Sequence, residues 1–183
     1  MNQQDHKYQT YLAILKEELV PALGCTEPIA IAYASAKAKE LLGDFPDTIT
    51  VAASGNIIKN VKGVIVPQTG NLRGIEASAI LGALAGTAAK KLEVLTNVQK
   101  EDVEKTKTLL AQGICQVQLI PNTVNLHIIV TMQKGPQSTL VEIKNEHPAI
   151  SRMEKNGEIL FQQETNDPEL AQAPIDRSLL TVA

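Results

Sequence analysis

The chain has 183 residues, 44% of them hydrophobic and 20% charged, with a formal net charge of −3. That apolar content excludes a disordered chain, which could not bury enough surface to offset its conformational entropy. The weakly acidic balance excludes a general nucleic-acid binder, whose phosphate affinity needs clustered Lys and Arg.

Aromatic residues supply only 3% and Trp is absent, so the core is expected to consist of Ala, Val, Ile and Leu. The length suits one sizeable domain. Two cysteines cannot make a secreted disulfide framework. The N-terminal residues 1–6 are polar and carry no apolar run of the signal-peptide kind. The longest small and apolar run, 77–89, falls short of the ~20 residues that cross a bilayer. A cytoplasmic protein with no membrane contact is expected.

In chain order, Tyr8, Tyr11, Leu12, Leu15 and Leu19 recur at three- and four-residue spacing, which predicts an amphipathic helix over 8–20, ended by Pro21. Thr26-Glu27-Pro28 reads as a second helix start, with Thr26 as N-cap, an acid in the first turn and a proline whose missing N–H costs nothing there. That helix is expected to stop at Gly43. A turn over 44–47 and a strand over 48–53 follow. Residues 54–71 break into a Gly- and Asn-rich loop or short helix, and Asn71 can cap a third helix over 72–92. Along it Gly74, Ser78, Gly82 and Gly86 fall every four residues, a small-residue face that predicts a tight contact with another backbone.

A fourth helix over 97–112 is closed by Gly113. The period then changes to strands over 115–119, 124–132, 139–144 and 159–162, with a hairpin signal at Asn156-Gly157. The expected class is α+β, with N-terminal helices and one strand followed by an antiparallel β-meander packed on helices. Residues 1–163 form the expected domain. Residues 164–183, polar and containing Pro168 and Pro174, form a linker-like tail.

Cys25 precedes a helix start, where free N–H groups and the helix dipole favour thiolate, the form that a metal or a substrate needs. Cys115 lies in an alternating strand and reads as core packing. His127 reads as a satisfied sheet histidine, and His147, before Pro148, stands at a strand edge where it can face a cleft. No Cys-x-x-Cys pair or His-Glu-x-x-His is present, so a self-contained zinc site is not expected. Ser54-Gly55-Asn56 follows directly on a strand and, with Lys59, suits a nest for a carboxylate or phosphate; a plain capped turn accounts for it equally.

The segment 18–30, with Gly24-Cys25-Thr26-Glu27-Pro28 at its centre, and Ser54-Gly55-Asn56-Ile57-Ile58-Lys59-Asn60 resemble the N-terminal part of L-cysteine desulfidases, relatives of the iron–sulfur-dependent L-serine dehydratase alpha chain. The resemblance implies a lyase that converts L-cysteine to sulfide, pyruvate and ammonia, with L-serine deamination or non-catalytic binding of a small amino acid as the alternatives. It implies a [4Fe–4S] cluster with Cys25 as one ligand, Glu27 and Lys59 as catalytic groups, and Thr26, Ser54, Gly55, Asn56 and Asn60 around the substrate. Where that family has His-Thr-Asn, this chain has His147-Pro148-Ala149. Members of that family are much longer, and their remaining cluster cysteines lie in a C-terminal half. A chain with two cysteines is therefore expected to lack the full ligand set and to be inactive by itself, needing a C-terminal partner subunit or self-association.

Overall fold

The computed structural model describes residues 6–19 and 21–163. The first unit contributes α1 (His6–Glu18). The rest of the described chain, from Ala22 to Gln163, is a second compact unit. It contains α2 (Thr26–Leu42), β1 (Thr48–Ser54), α3 (Gly55–Val61), α4 (Gly74–Ala85), a 3-10 segment (Ala88–Glu93), α5 (Lys100–Gln112), β2 (Cys115–Ile120), β3 (His127–Lys134), β4 (Gln137–Lys144), β5 (Ile150–Lys155) and β6 (Glu158–Gln162). The class is α+β, as expected. The expected tail lies outside the described residues.

The six strands form one sheet in the order β2-β1-β3-β4-β5-β6. The alternation legible in β1, β3 and β4 sorts their side chains onto two faces. Ile49, Val51, Ile128, Val130, Met132, Val141 and Ile143 are fully buried beneath the helices, while the residues between them are partly exposed. The meander is confined to β3–β6. β2 is no part of it and pairs parallel to β1, with Ile49 beside Cys115 and Ser54 beside Ile120. The reason is connectivity: a path through α3, α4 and α5 returns the chain to the end of the sheet where β1 began, as a helical crossover does. β5 was not among the expected strands; its weakly alternating Ile150–Lys155 is held by the hairpin turn, where Asn156 (φ 53°) and Gly157 (φ 82°) both take positive φ.

α2 is the central element. Every residue from Pro28 to Ala36 is buried, which a helix apolar on all sides requires. It packs on β3 and β4 and is pinned to the sheet: Thr139 Oγ1 of β4 donates to the Ala38 carbonyl at 3.0 Å, and Lys155 Nζ of β5 donates to the Leu41 carbonyl at 2.8 Å. Gly43 closes the helix in the left-handed region at φ 89°.

The small-residue face of α4 makes the tight contact its spacing predicts. A Cβ on Gly82 would lie 2.6 Å from Ala32 Cα and 2.8 Å from Ala32 C, and would also strike the Ala32 carbonyl oxygen; one on Gly86 would lie 2.8 Å from Ala36 Cβ. Glycine is therefore required where the α2 and α4 backbones meet. The third helix is shorter than its expected span. It begins after Arg73, not at an Asn71 cap, and ends at Ala85, where Gly86 turns extended at φ −68°, ψ 139°. The chain re-enters as the 3-10 segment, broken at Lys91 (φ 48°, ψ −115°). The fourth helix likewise starts at Lys100, with Gln99 and Asp102 forming a reciprocal capping box.

Gly82→Ala is expected to cost about 1–3 kcal/mol or more, because the overpacked atom is met by backbone, which cannot rotate away. Gly63→Ala, whose added Cβ meets nothing within 4 Å, is expected to change stability by less than about 0.5 kcal/mol. Denaturant midpoints of the two variants check the pair.

Candidate functional site

The mouth of α2 is shaped by the residue before it. Gly24 has φ 153°, and a Cβ there would lie 3.0 Å from Pro67 Cγ, so this position needs glycine for its backbone and for its neighbour. Cys25, not Thr26, is the N-cap residue; its side chain makes no cap hydrogen bond, and Thr26 is the first helical residue. The thiol turns instead to the helix's own first-turn acid: Cys25 Sγ donates to Glu27 Oε2 at 3.3 Å. From the last turn of α3, Asn60 Nδ2 donates to Glu27 Oε1 at 3.4 Å.

His147, in the loop between β4 and β5, joins this group. Its Nε2 is buried without a hydrogen-bond partner, and its ring is electrostatically coupled to Glu27. Thiol and amide thus meet at the Glu27 carboxylate, and the His147 ring lies near enough to feel its charge.

The electrostatics differ from the helix-start expectation. Burial pushes the Cys25 thiol above its ordinary value, and the Glu27 carboxylate pushes it further by hydrogen bond and by charge; the N–H groups of Glu27 and Thr26 oppose this and lose. The thiol is therefore held protonated, the reverse of the thiolate expected from the dipole alone. Glu27 moves the other way. Burial works to raise it, but its own backbone N–H, the Cys25 thiol, the Asn60 amide and His147 together hold it below the usual carboxylate range. Burial lowers the His147 imidazole, with Glu27 partly offsetting that, so the ring is neutral at physiological pH.

The Ser-Gly-Asn segment lies at the other end of α3. Ser54 caps α3 by accepting from Ile57 N–H at 3.4 Å and donates to the Asn125 carbonyl at 2.5 Å, so its hydroxyl is occupied. Gly55 is helical with no positive φ, so the expected nest becomes the start of a seven-residue helix. Ser54, Gly55 and Asn56 line a shallow groove with the 119–125 connection. At about 1.5 Å per residue, six residues of helix set Ser54 roughly 9 Å along α3 from Asn60. Asn60 alone of the segment 54–60 carries a hydrogen bond to the Cys25 group, while Lys59 is exposed in the last turn of α3.

Cys115 packs partly buried against the core, and burial, with the Glu76 charge, pushes its thiol up to about 12. His127 is a satisfied sheet histidine: Nδ1 lies 2.6 Å from Thr123 Oγ1 and Nε2 lies 2.6 Å from Glu142 Oε1. A [4Fe–4S] cluster needs three or four thiolates. One exposed thiol and one half-buried, protonated thiol do not fit it, and among the described residues no three His, Cys, Asp or Glu side chains gather as a metal site. Among the same residues no helix is long and apolar enough to cross a membrane.

The chain is 56% identical over 176 residues to a UPF0597 protein of Lachnoclostridium phytofermentans, a match covering 96% of this chain and 42% of that protein. It is 44% identical to a UPF0597 protein of Treponema denticola over 96% of this chain and 41% of the relative. A UPF0597 protein of Desulfitobacterium hafniense is 45% identical over 100% of this chain and 42% of its own length. The chain thus spans about two fifths of the length of the curated relatives it matches. No family model and no solved structure matches. These matches correct the resemblance to L-cysteine desulfidases and serine dehydratases: the relatives the chain matches are named UPF0597 proteins.

Of the site residues expected from sequence, Cys25, Glu27 and Asn60 come together. Ser54, Gly55 and Asn56 line a separate groove. His147, expected at a strand edge where it can face a cleft, lies in the loop between β4 and β5 within reach of the Glu27 charge, a proximity no local spacing announces.

Glu27→Gln removes the charge that raises the Cys25 thiol. The thiol value falls, thiolate is more abundant at any given pH, and alkylation of Cys25 by iodoacetamide at pH 8 is expected to quicken several-fold. Cys115, protonated at that pH, does not obscure the measurement. An unchanged or slower rate would show that Glu27 does not govern the thiol.

Proposed function

We propose that this chain supplies one wall of the active site of a lyase acting on a small α-amino acid, L-cysteine or L-serine, within a longer protein of the length of its UPF0597 relatives. The observation that carries the reading is the pair of hydrogen bonds that Cys25 and Asn60 donate to one ionised carboxylate, Glu27, at an open helix mouth, with His147 within reach of its charge. β-Elimination transfers the α-proton to a base and expels the β-substituent with its bonding electrons; the resulting 2-aminoacrylate takes up water to give pyruvate and ammonia. Glu27 is ionised and so in the state a base requires. Asn60 orients it, and His147 adjusts its charge balance. Lys59, exposed on the helix that carries Asn60, is the cation available to the substrate carboxylate.

A [4Fe–4S] cluster could take Cys25 as a ligand only with thiolates from outside these 183 residues, and what the chain's own residues do stands without it. A second reading, a non-catalytic domain that binds a small amino acid, is favoured by the protonated thiol and the incomplete donor set.

Calorimetric titration with L-alanine, which lacks a leaving group, tests the common element of both readings. Saturable binding is expected, weakened at least tenfold by Glu27→Gln. Pyruvate formation from L-cysteine or L-serine, assayed under anaerobic conditions on the longer protein that the first reading requires, then separates them. Pyruvate supports the lyase, binding without pyruvate supports the domain, and absence of binding overturns both.

A further inference from the structure

His127 belongs to β3 and Glu142 to β4, neighbouring antiparallel strands in which Glu142 stands beside Ile129. The two residues therefore lie diagonally on one face of the sheet, within side-chain reach. His127 Nε2 is 2.6 Å from Glu142 Oε1, and His127 Nδ1 is 2.6 Å from Thr123 Oγ1. A carboxylate only accepts, so the proton of the neutral ring sits on Nε2. Nδ1 is then an acceptor, and the Thr123 hydroxyl donates to it. Hydroxyl, imidazole and carboxylate stand in the order of nucleophile, base and orienting group.

The segment that carries Thr123 is tied from two sides. Ser54 Oγ donates to the Asn125 carbonyl at 2.5 Å, and the Asn145 N–H donates to the Leu126 carbonyl at 3.0 Å. His127 is buried, whereas Thr123 is half-buried and lines a groove of about 360 Å³. That is the small end of the ~300–1,000 Å³ typical of ligand sites. Leu119 and Val124, both exposed, give the groove an apolar wall, and Asn56 and Asn122 add amides to it.

We propose that Thr123, His127 and Glu142 form a hydrolytic site, separate from the Cys25 group, that cleaves carboxylic esters with a small apolar acyl chain. Thr123 Oγ1 bonds to the acyl carbon as its proton passes to His127 Nδ1. The bond from that carbon to the leaving oxygen breaks, and the departing alcohol takes the proton from His127. A solvent water then attacks the acyl-threonine with His127 as base; the free acid leaves and Thr123 Oγ1 regains its proton. The amides of Asn56 and Asn122 are the groove's side-chain donors for the carbonyl oxygen as it gains charge. Glu142 is a positioning residue that holds the ring tautomer and offsets the transient imidazolium.

p-Nitrophenyl butyrate is the probe. The wild-type protein is expected to release nitrophenolate faster than buffer does, and mass spectrometry after a denaturing quench is expected to find one butyryl group on the peptide that contains Thr123. Thr123→Val, nearly isosteric, is expected to lower the rate by about 100-fold or more with an unchanged circular dichroism spectrum, whereas Thr123→Ser keeps both turnover and adduct. Glu142→Gln is expected to lower kcat by about tenfold or more with KM unchanged, a split that a merely structural role would not produce. Release no faster than buffer, an adduct confined to other residues, or full turnover by Thr123→Val would overturn the proposal.

Discussion

Two backbones touch where Gly82 of α4 meets Ala32 of α2, and the placement of the polar cluster depends on that contact. No side chain stands between them, so the helix separation is set by main-chain atoms, which cannot change rotamer. With α4 on one side and β3 and β4 on the other, α2 is enclosed over most of its length. Its two ends are what it has left to present. The C-terminal end is closed by Gly43 and the Lys155 ammonium; the N-terminal end opens at Gly24 and Cys25.

At that open end two effects compete for one proton. Helix N–H groups favour an anion at the mouth, and two candidates are present. The carboxylate of Glu27 takes the negative charge because it ionises more readily and collects donors from its own backbone, Cys25 and Asn60. Once it is charged, it adds to burial in holding the neighbouring thiol protonated. The helix dipole therefore acts on Cys25 chiefly through the acid beside it. A bound cation near Glu27 would offset the carboxylate's share of that shift and leave the share due to burial.

Much of this architecture could be read from residue order, for identifiable reasons. Apolar periodicity located α2 and every strand but β5, Gly43 and Gly113 marked helix ends through their left-handed backbones, and the four-residue spacing of small residues on α4 announced a close approach. What could not be read depends on distance in sequence. The parallel place of β2 follows from the path of three intervening helices. The burial of Ser54's hydroxyl in its own cap and in the Asn125 carbonyl depends on a loop 71 residues away. The sign of the Cys25 shift required knowing that Glu27 folds back onto the thiol, and His147 comes from the loop between β4 and β5, far along the chain. Short-range chemistry was legible at Cys25 and Glu27; its outcome depended on which groups the fold brought beside them.

The account requires that Glu27 and His147 belong to one electrostatic unit. The most direct test is an NMR pH titration of the His147 ring in the wild-type protein and in Glu27→Gln. The wild-type ring is expected to titrate below the ordinary histidine value, and loss of the carboxylate is expected to lower it further, since the charge that favours imidazolium has gone. A His147 titration that is the same in both proteins would contradict the assembly of this site.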